Sequence, residues 1–435
     1  MAEWYNFYIK ALKGKSKRVA KAGWLVQQAF YLIIPKDRRP AFPLQKEELI
    51  MKNIKKVLCL TAAAAMVASA VMPTAVFAEE ETFKIGVIGP MTGDYAQYGV
   101  GVYLGAQVAV EEINAAGGIN GYQIELLDAG DDMGDPEKSV NAYYDLLDNG
   151  MQILCGTVTS GAGIAVGAEA AESTFMFTPS GTAVDVITSG SNEFRMCFTD
   201  PMQGVKSAEF ISEHELGTKI AIIYDSMADY NTGIHDAFIE AADTYGLEIV
   251  ADEAYTTDSN SDFSVQLSKV AESGAEILFL PNYYNDNALI LQQAADIDLQ
   301  ATIFGVDGMD GILSVENFDT SLAEDVMLLL SFAASDESEA TQSFVSAFQE
   351  KSDGLVPNQF AADAYDVIYA IKDAAEDAGI TPDMSNEDIS AAMTASMLNI
   401  ECDRLTGHTT WTEDGECEKD PKAVVIKNGV YEFVD

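Results

Sequence analysis

Basic side chains are scarce in this sequence: 25 Lys and Arg stand against 69 Asp and Glu in 435 residues, a formal charge of −44. Residues 1–78 hold 13 of the basic and 4 of the acidic residues, which leaves 12 against 65 beyond Ala78 and a charge near −53. Such a field repels nucleic acid and anionic membrane surfaces. Histidine is rarer still, and His214, His235 and His408 show no metal-ligand spacing. The five cysteines include no Cys-x-x-Cys pair, so a zinc site is not expected. The one long apolar run, Val57–Val71, is short and alanine-rich for a membrane span. Gly99-x-Gly101-x-x-x-Gly105 misses the dinucleotide-binding spacing, and no nucleophile–base pair stands out. No cofactor is expected. Hydrophobic residues make up 48% of the chain, which sets disorder aside.

What is present begins with a leader. Lys52, Lys55 and Lys56 precede the apolar run, and Val76-Phe77-Ala78 ends it with small residues where a signal peptidase cuts. Residues 51–78 therefore read as a signal peptide, and residues 1–50 as an upstream extension outside the mature protein. Cys59 lies at the start of the apolar run, and Lys56-Val57-Leu58 before it do not resemble a lipid-anchor motif, so a soluble exported product from Glu79 is expected. Its 357 residues suffice for two lobes with separate cores. Export permits disulfides. Cys402 and Cys417 flank an apparent hairpin and are the expected pair, with Cys155–Cys197 the weaker second pair.

Beyond Glu79 the chain alternates strand-like and helix-like segments. Phe83–Gly89, Tyr122–Asp128, Ile153–Cys155 and Phe175–Phe177 read as strands, with helices over Gln97–Ala115 and from Pro136. A second series follows, with strands at Lys219–Tyr224, Glu248–Ala254, Glu276–Leu280 and Thr302–Gly305. Two βα series imply an α/β protein of two doubly wound parallel-sheet lobes joined by a multi-strand hinge. The expected division is 79–199 plus about 333–380 for one lobe, and 200–332 plus about 400–435 for the other.

The stretch from Gln152 to Thr182 organises the first lobe. Strand, turn, helix, strand and turn succeed one another, and both turns are rich in hydroxyls: Thr157, Thr159 and Ser160, then Thr178, Ser180 and Thr182. Ligands bind beyond the carboxyl ends of parallel strands, and a helix N-terminus offers free N–H groups to an anion. The bland alternative makes Ser160 an N-cap and Thr182 a turn residue. In the second series Tyr230, Tyr283 and Asp307 follow strands at the same kind of edge.

Several motifs stand together: IGVIGPMTGDYAQYG (85–99), EINAAGGINGYQIEL (112–126), DDMGDPEKSV (131–140), TPSGT, KIAIIYD and FGVDG (304–308). On these the chain resembles the leucine/isoleucine/valine-binding family of type I periplasmic binding proteins, the solute receptors of ABC importers, from Phe83 to about Val434. The resemblance implies a ligand α-carboxylate held at Ser160, at the backbone of Ser180 and at Thr182. It implies an α-ammonium held by Asp307, where family members often carry Glu. Tyr98, Tyr230 and Tyr283 match aromatic positions lining the cleft, and Phe360 one near the ligand side chain. The implied protein is a non-catalytic monomer that closes on an amino acid and delivers it to a membrane permease. A sensory module for a membrane receptor shares this fold, and an exported enzyme using the same cleft is the remaining alternative. Leucine, isoleucine, valine, an aromatic amino acid or a small amide would suit such a cleft.

Overall fold

Two sheets organise the chain, as seen in a computed structural model that describes residues 81–417 and 419–434. The signal peptide, the upstream extension and Cys59 lie outside the described residues. The first sheet runs β2 (Ile124–Leu126), β1 (Phe83–Gly89), β4 (Ile153–Gly156), β5 (Phe175–Thr178) and β6 (Glu193–Arg195), all parallel, with β3 (Gly130–Asp131) also on β1. Helices α1 (Ala96–Ala116), α2 (Pro136–Asp148) and α3 (Ser160–Ala170) connect its strands. Strands β1, β4 and β5 are buried nearly throughout, which is why they read as unbroken apolar runs instead of alternating ones.

A connection out of β6 leads to α4 (Asp200–Glu213) and the second sheet. Its parallel strands are β7 (Lys219–Asp225), β8 (Glu248–Tyr255), β9 (Ile277–Leu280), β10 (Thr302–Gly305) and β11 (Met327–Leu330). Helices α5 (Asp229–Ala242), α6 (Ser264–Ser273) and α7 (Tyr284–Asp296) intervene. The chain then returns through α8 (Glu339–Lys351) and α9 (Gln359–Ala378), which pack on α1. Helix α10 (Asn386–Met397) and the hairpin β12 (Cys402–Arg404) and β13 (Gly407–Thr409) follow. Last, β14 (Lys422–Lys427) and β15 (Val430–Phe433) add antiparallel strands to the second sheet, in the order β15-β14-β11-β10-β9-β7-β8. Three connections thus run between the sheets, the arrangement from which a hinge is built.

Sequence and structure part in three places. The second strand is shorter than Tyr122–Asp128. Helix α10 was not expected, although Ile389, Met393 and Met397 recur at helical spacing and Ser385 caps it by accepting from Asp388 N–H. The expected Cys402–Cys417 disulfide is absent, as is Cys155–Cys197: all four thiols are free and buried. Register is the reason. The hairpin opposes Cys402 to Thr409, while Cys417 bridges Trp411 and its Sγ donates to the Cys197 carbonyl at 3.1 Å.

One glycine fixes how closely α1 and α9 approach. A Cβ on Gly105 would lie 2.0 Å from the Ala361 carbonyl oxygen, a backbone atom with no freedom to swing aside. Gly105→Ala should therefore destabilise the protein by roughly 1–3 kcal/mol, as overpacking does, measured by urea unfolding.

The connections between the sheets are threaded by buried acids. Asp310 accepts from Gln359 N–H at 2.7 Å, and Asp363 lies 3.3 Å from the Lys419 ammonium. Burial pushes both carboxyls up to about 7, against the attraction of Lys419 in the case of Asp363. It pushes Asp132 and Asp286 up to about 6. A carboxyl whose folded pKa exceeds its unfolded value of about 3.9 binds protons more tightly when folded, so its contribution to stability is lost as pH rises through the folded pKa. The melting temperature of the ligand-free protein should therefore rise by several degrees between pH 8 and pH 5, followed by calorimetry.

Candidate functional site

Parallel strands of both sheets end at one cleft. From the first sheet, β4 and β5 end in the two hydroxyl-rich turns. After β4 the chain enters α3 at Ser160, whose Oγ accepts from Ala183 N–H at 3.2 Å and so ties the two turns together. Ser180 Oγ donates to the Val158 carbonyl at 2.9 Å. The amides at the start of α3 have no acceptor within their own helix. From the second sheet, β10 delivers Asp307, β9 delivers Tyr283, and α5 carries Tyr230 in its first turn.

One cavity of about 10 Å³ lies between these groups, the scale of a single water, so the cleft is closed. Tyr98, Ser160, Ser180, Tyr230, Tyr283, Asp307 and Phe360 line it, and Val158, Thr159 and Gly308 complete the wall. Thr182 is the exception among the expected residues: it is 1% exposed but not part of the lining. Its Oγ1 has no hydrogen-bond partner, nor has that of Thr159.

Asp307 dominates the electrostatics. It is 1% exposed, and its Oδ1 accepts the Tyr230 hydroxyl at 2.6 Å. Its backbone N–H donates to Gln203 Oε1 at 3.1 Å. No Lys or Arg pairs with it among the described residues. Burial pushes its carboxyl up to about 6, against the opposing hydrogen bonds from Tyr230 and Gln203. Gly308 follows, and a Cβ there would meet the Tyr230 hydroxyl at 2.5 Å, so this turn needs glycine for close approach. The rings form a tight set: Tyr230 stacks on Tyr283 at 4.6 Å, and Phe360 meets the Tyr98 edge at 4.7 Å.

Two residues missed in the sequence belong to this region. Arg195, at the end of β6, is fully buried. Its Nη1 donates to the carbonyls of Gly181, Thr182 and Ala183 at 2.9–3.0 Å, and its Nη2 to that of Val184 at 3.1 Å. Its Nε sits 3.1 Å from Glu416 Oε2 but off the hydrogen-bonding line, so the two form an ion pair without a directed bond. Arg195 thereby fixes the backbone of the Thr182 turn. An arginine within the run Phe194–Phe198, in a chain this poor in cations, was the available signal. The second is Asp200, at the start of α4, whose N–H donates to the Thr182 carbonyl at 3.0 Å. Its buried carboxyl faces the Thr182 hydroxyl, though outside strict hydrogen-bond geometry, and burial drives its pKa well above the usual carboxylate range against that contact. Nothing in the sequence separates it from the other acids.

A larger groove of about 320 Å³ lies between α7 and the segment before β11, lined mainly by aliphatic side chains such as Leu291, Leu299 and Val326. It adjoins Thr302, the amino-terminal end of β10, opposite the end that carries Asp307. Ligand sites in parallel sheets form at the other end. No helix among the described residues is long and apolar enough to cross a membrane.

This architecture and cleft have counterparts. The family described as periplasmic binding protein matches residues 82–429. The Leu/Ile/Val-binding protein BraC3 of Rhizobium johnstonii is 31% identical over 334 residues, which cover 76% of this chain and 88% of that protein. The leucine-, isoleucine-, valine-, threonine- and alanine-binding protein of Pseudomonas aeruginosa is 28% identical over 338 residues, 77% of this chain and 87% of its own. The crystal structure of the branched-chain amino acid transporter substrate-binding protein LivJ of Streptococcus pneumoniae, in complex with isoleucine, superposes with a TM-score of 0.73 at 29% identity. That superposition covers 81% of this chain and 99% of the other. With its paired parallel sheets and nearly all of the described chain matched, this protein belongs to the periplasmic binding protein family.

Proposed function

We propose that this protein captures an amino acid, with a branched-chain or similarly apolar side chain, by closing its lobes on it, and hands it to the membrane permease of an ABC importer. Residues 51–78 would direct its export and be removed. The observation that carries the reading is that a cation-free buried acid and the partnerless hydroxyl of Thr159 face one closed cavity, in a chain related to Leu/Ile/Val-binding proteins.

A zwitterion meets both needs of such a cavity. Burying it requires N–H and O–H donors around its carboxylate and an acid against its ammonium. In this proposal the α3 amides, Ser160, the Ser180 backbone and Thr182 hold the carboxylate, and Asp307 holds the ammonium from the opposite lobe. Asp200, whose burial favours its neutral form, backs the Thr182 turn without placing a charge there. Tyr98, Tyr230, Tyr283 and Phe360 enclose the rest of the ligand. Each lobe then satisfies half of the ligand's charge, so closure is coupled to occupancy. The protein binds without turnover in this reading, because the hydroxyls of Ser160 and Ser180 are bonded to backbone and not to a base.

Two outcomes are expected. Asp307→Ala should weaken binding of its preferred amino acid at least about a hundredfold, since a charge-assisted bond and a compensated buried charge are both lost. Titration calorimetry on the best ligand from a thermal-shift screen of amino acids measures this, and wild-type affinity in the variant contradicts the ammonium role. Affinity should also depend on pH with a defined sign. The ammonium requires ionised Asp307, and the free protein holds this acid's pKa at about 6. Below that value a proton must leave before the ligand enters, so Kd should rise by up to about tenfold per pH unit as pH falls from 6. A pH series in the same calorimeter checks it, and a flat profile from pH 7 to 5 removes Asp307 from the contact.

A further inference from the structure

Helices α1 and α7 stand on opposite sides of the cleft, and neither has a side-chain N-cap of its own. Helix N-terminal amides lack partners within their helix and need an outside acceptor. Here each helix receives one from the other. The Gln97 N–H of α1 donates to the Tyr284 hydroxyl of α7 at 3.4 Å, and the Tyr284 N–H of α7 donates to the Tyr98 hydroxyl of α1 at 3.3 Å. Both hydroxyls pass their own proton across the cleft as well: Tyr284 to the Asp94 carbonyl at 2.7 Å, Tyr98 to the Gly308 carbonyl. Asn285 Nδ2 donates to the same Asp94 carbonyl. The two rings meet edge to face at 4.7 Å and are almost fully buried.

We propose that this exchange of tyrosine caps is a latch that stabilises the closed lobes independently of ligand, with Tyr284 as the positioning residue that sets the open–closed balance. Tyr284 is not part of the cavity wall, and its polar contacts run from lobe to lobe. Opening breaks all of these bonds at once and leaves helix amides and carbonyls to water. The ligand therefore closes a cleft already biased towards closure, which raises its apparent affinity in proportion to the closed population.

The test needs no ligand for its main arm. Spin labels at Glu137→Cys on α2 and Glu240→Cys on α5, both exposed and on opposite lobes, report the lobe separation in ligand-free protein. The four native thiols among the described residues are buried. Tyr284→Phe keeps the ring and removes the shared hydroxyl, and should move the distance distribution towards longer values while leaving the far-UV circular dichroism unchanged. Asn285→Ala should do the same to a lesser degree. With leucine as the probe, dissociation from Tyr284→Phe should be about tenfold faster, the loss expected for two modest hydrogen bonds. Label distances that stay at their wild-type values in both variants overturn the latch. Failure of leucine to bind counts against the amino-acid reading alone, because the label distances are measured without it.

Discussion

A carboxyl group removed from water with no cation beside it is the constraint around which this protein is arranged. Asp307 is nearly inaccessible; its carboxyl accepts the Tyr230 hydroxyl and its backbone N–H donates to Gln203. An unpaired buried charge is costly enough that the group retains its proton more readily, as its raised pKa records. The cost falls when a cation arrives. Across the cleft the Thr159 hydroxyl, part of the cavity wall, is buried without a hydrogen-bond partner. Each half of the cleft is incomplete in a complementary way, and a small dipolar solute completes both.

Much of the remaining structure keeps these groups in place. Arg195, one of few cations in the chain, gives its Nη hydrogens to four carbonyls of the Thr182 turn while its Nε pairs with Glu416. Trp411 donates to the Arg195 carbonyl at 2.8 Å, so the returning C-terminal segment braces the same strand end. Buried acids line the connections between the sheets, and Tyr98 joins the cavity wall to the cap exchange with Tyr284. Mild acid has opposite effects in this scheme. It favours the folded protein, whose buried carboxyls accept protons, and it disfavours the liganded one, whose central carboxyl must be ionised.

The fold was legible because its strands are short, apolar and separated by helical periods, and because hydroxyl-rich turns sit where strands end. The candidate site was legible in its types of residue: Ser160, Ser180 and Asp307 each follow a strand, and family motifs marked which of them to choose. What sequence could not supply was depth. Thr182 follows the right strand yet stands outside the cavity lining, and Asp200 looks like any helix-opening acid until its burial is seen. The cysteines mislead for a similar reason. Cys402 and Cys417 are close in sequence, but hairpin register gives Cys402 to Thr409. Tyr284 is one of two adjacent tyrosines, and only the meeting of two distant helices distinguishes its hydroxyl from that of Tyr283.

The claim that one solute must present both charges is tested most directly by comparing ligands that lack one of them. Calorimetry with leucine, its N-acetyl derivative and its methyl ester separates the two ends while keeping the side chain. The account predicts binding of leucine alone, with both derivatives weakened by at least about a hundredfold. Comparable affinity for either derivative would mean that one pole of the cleft takes no part in recognition, and would contradict the account.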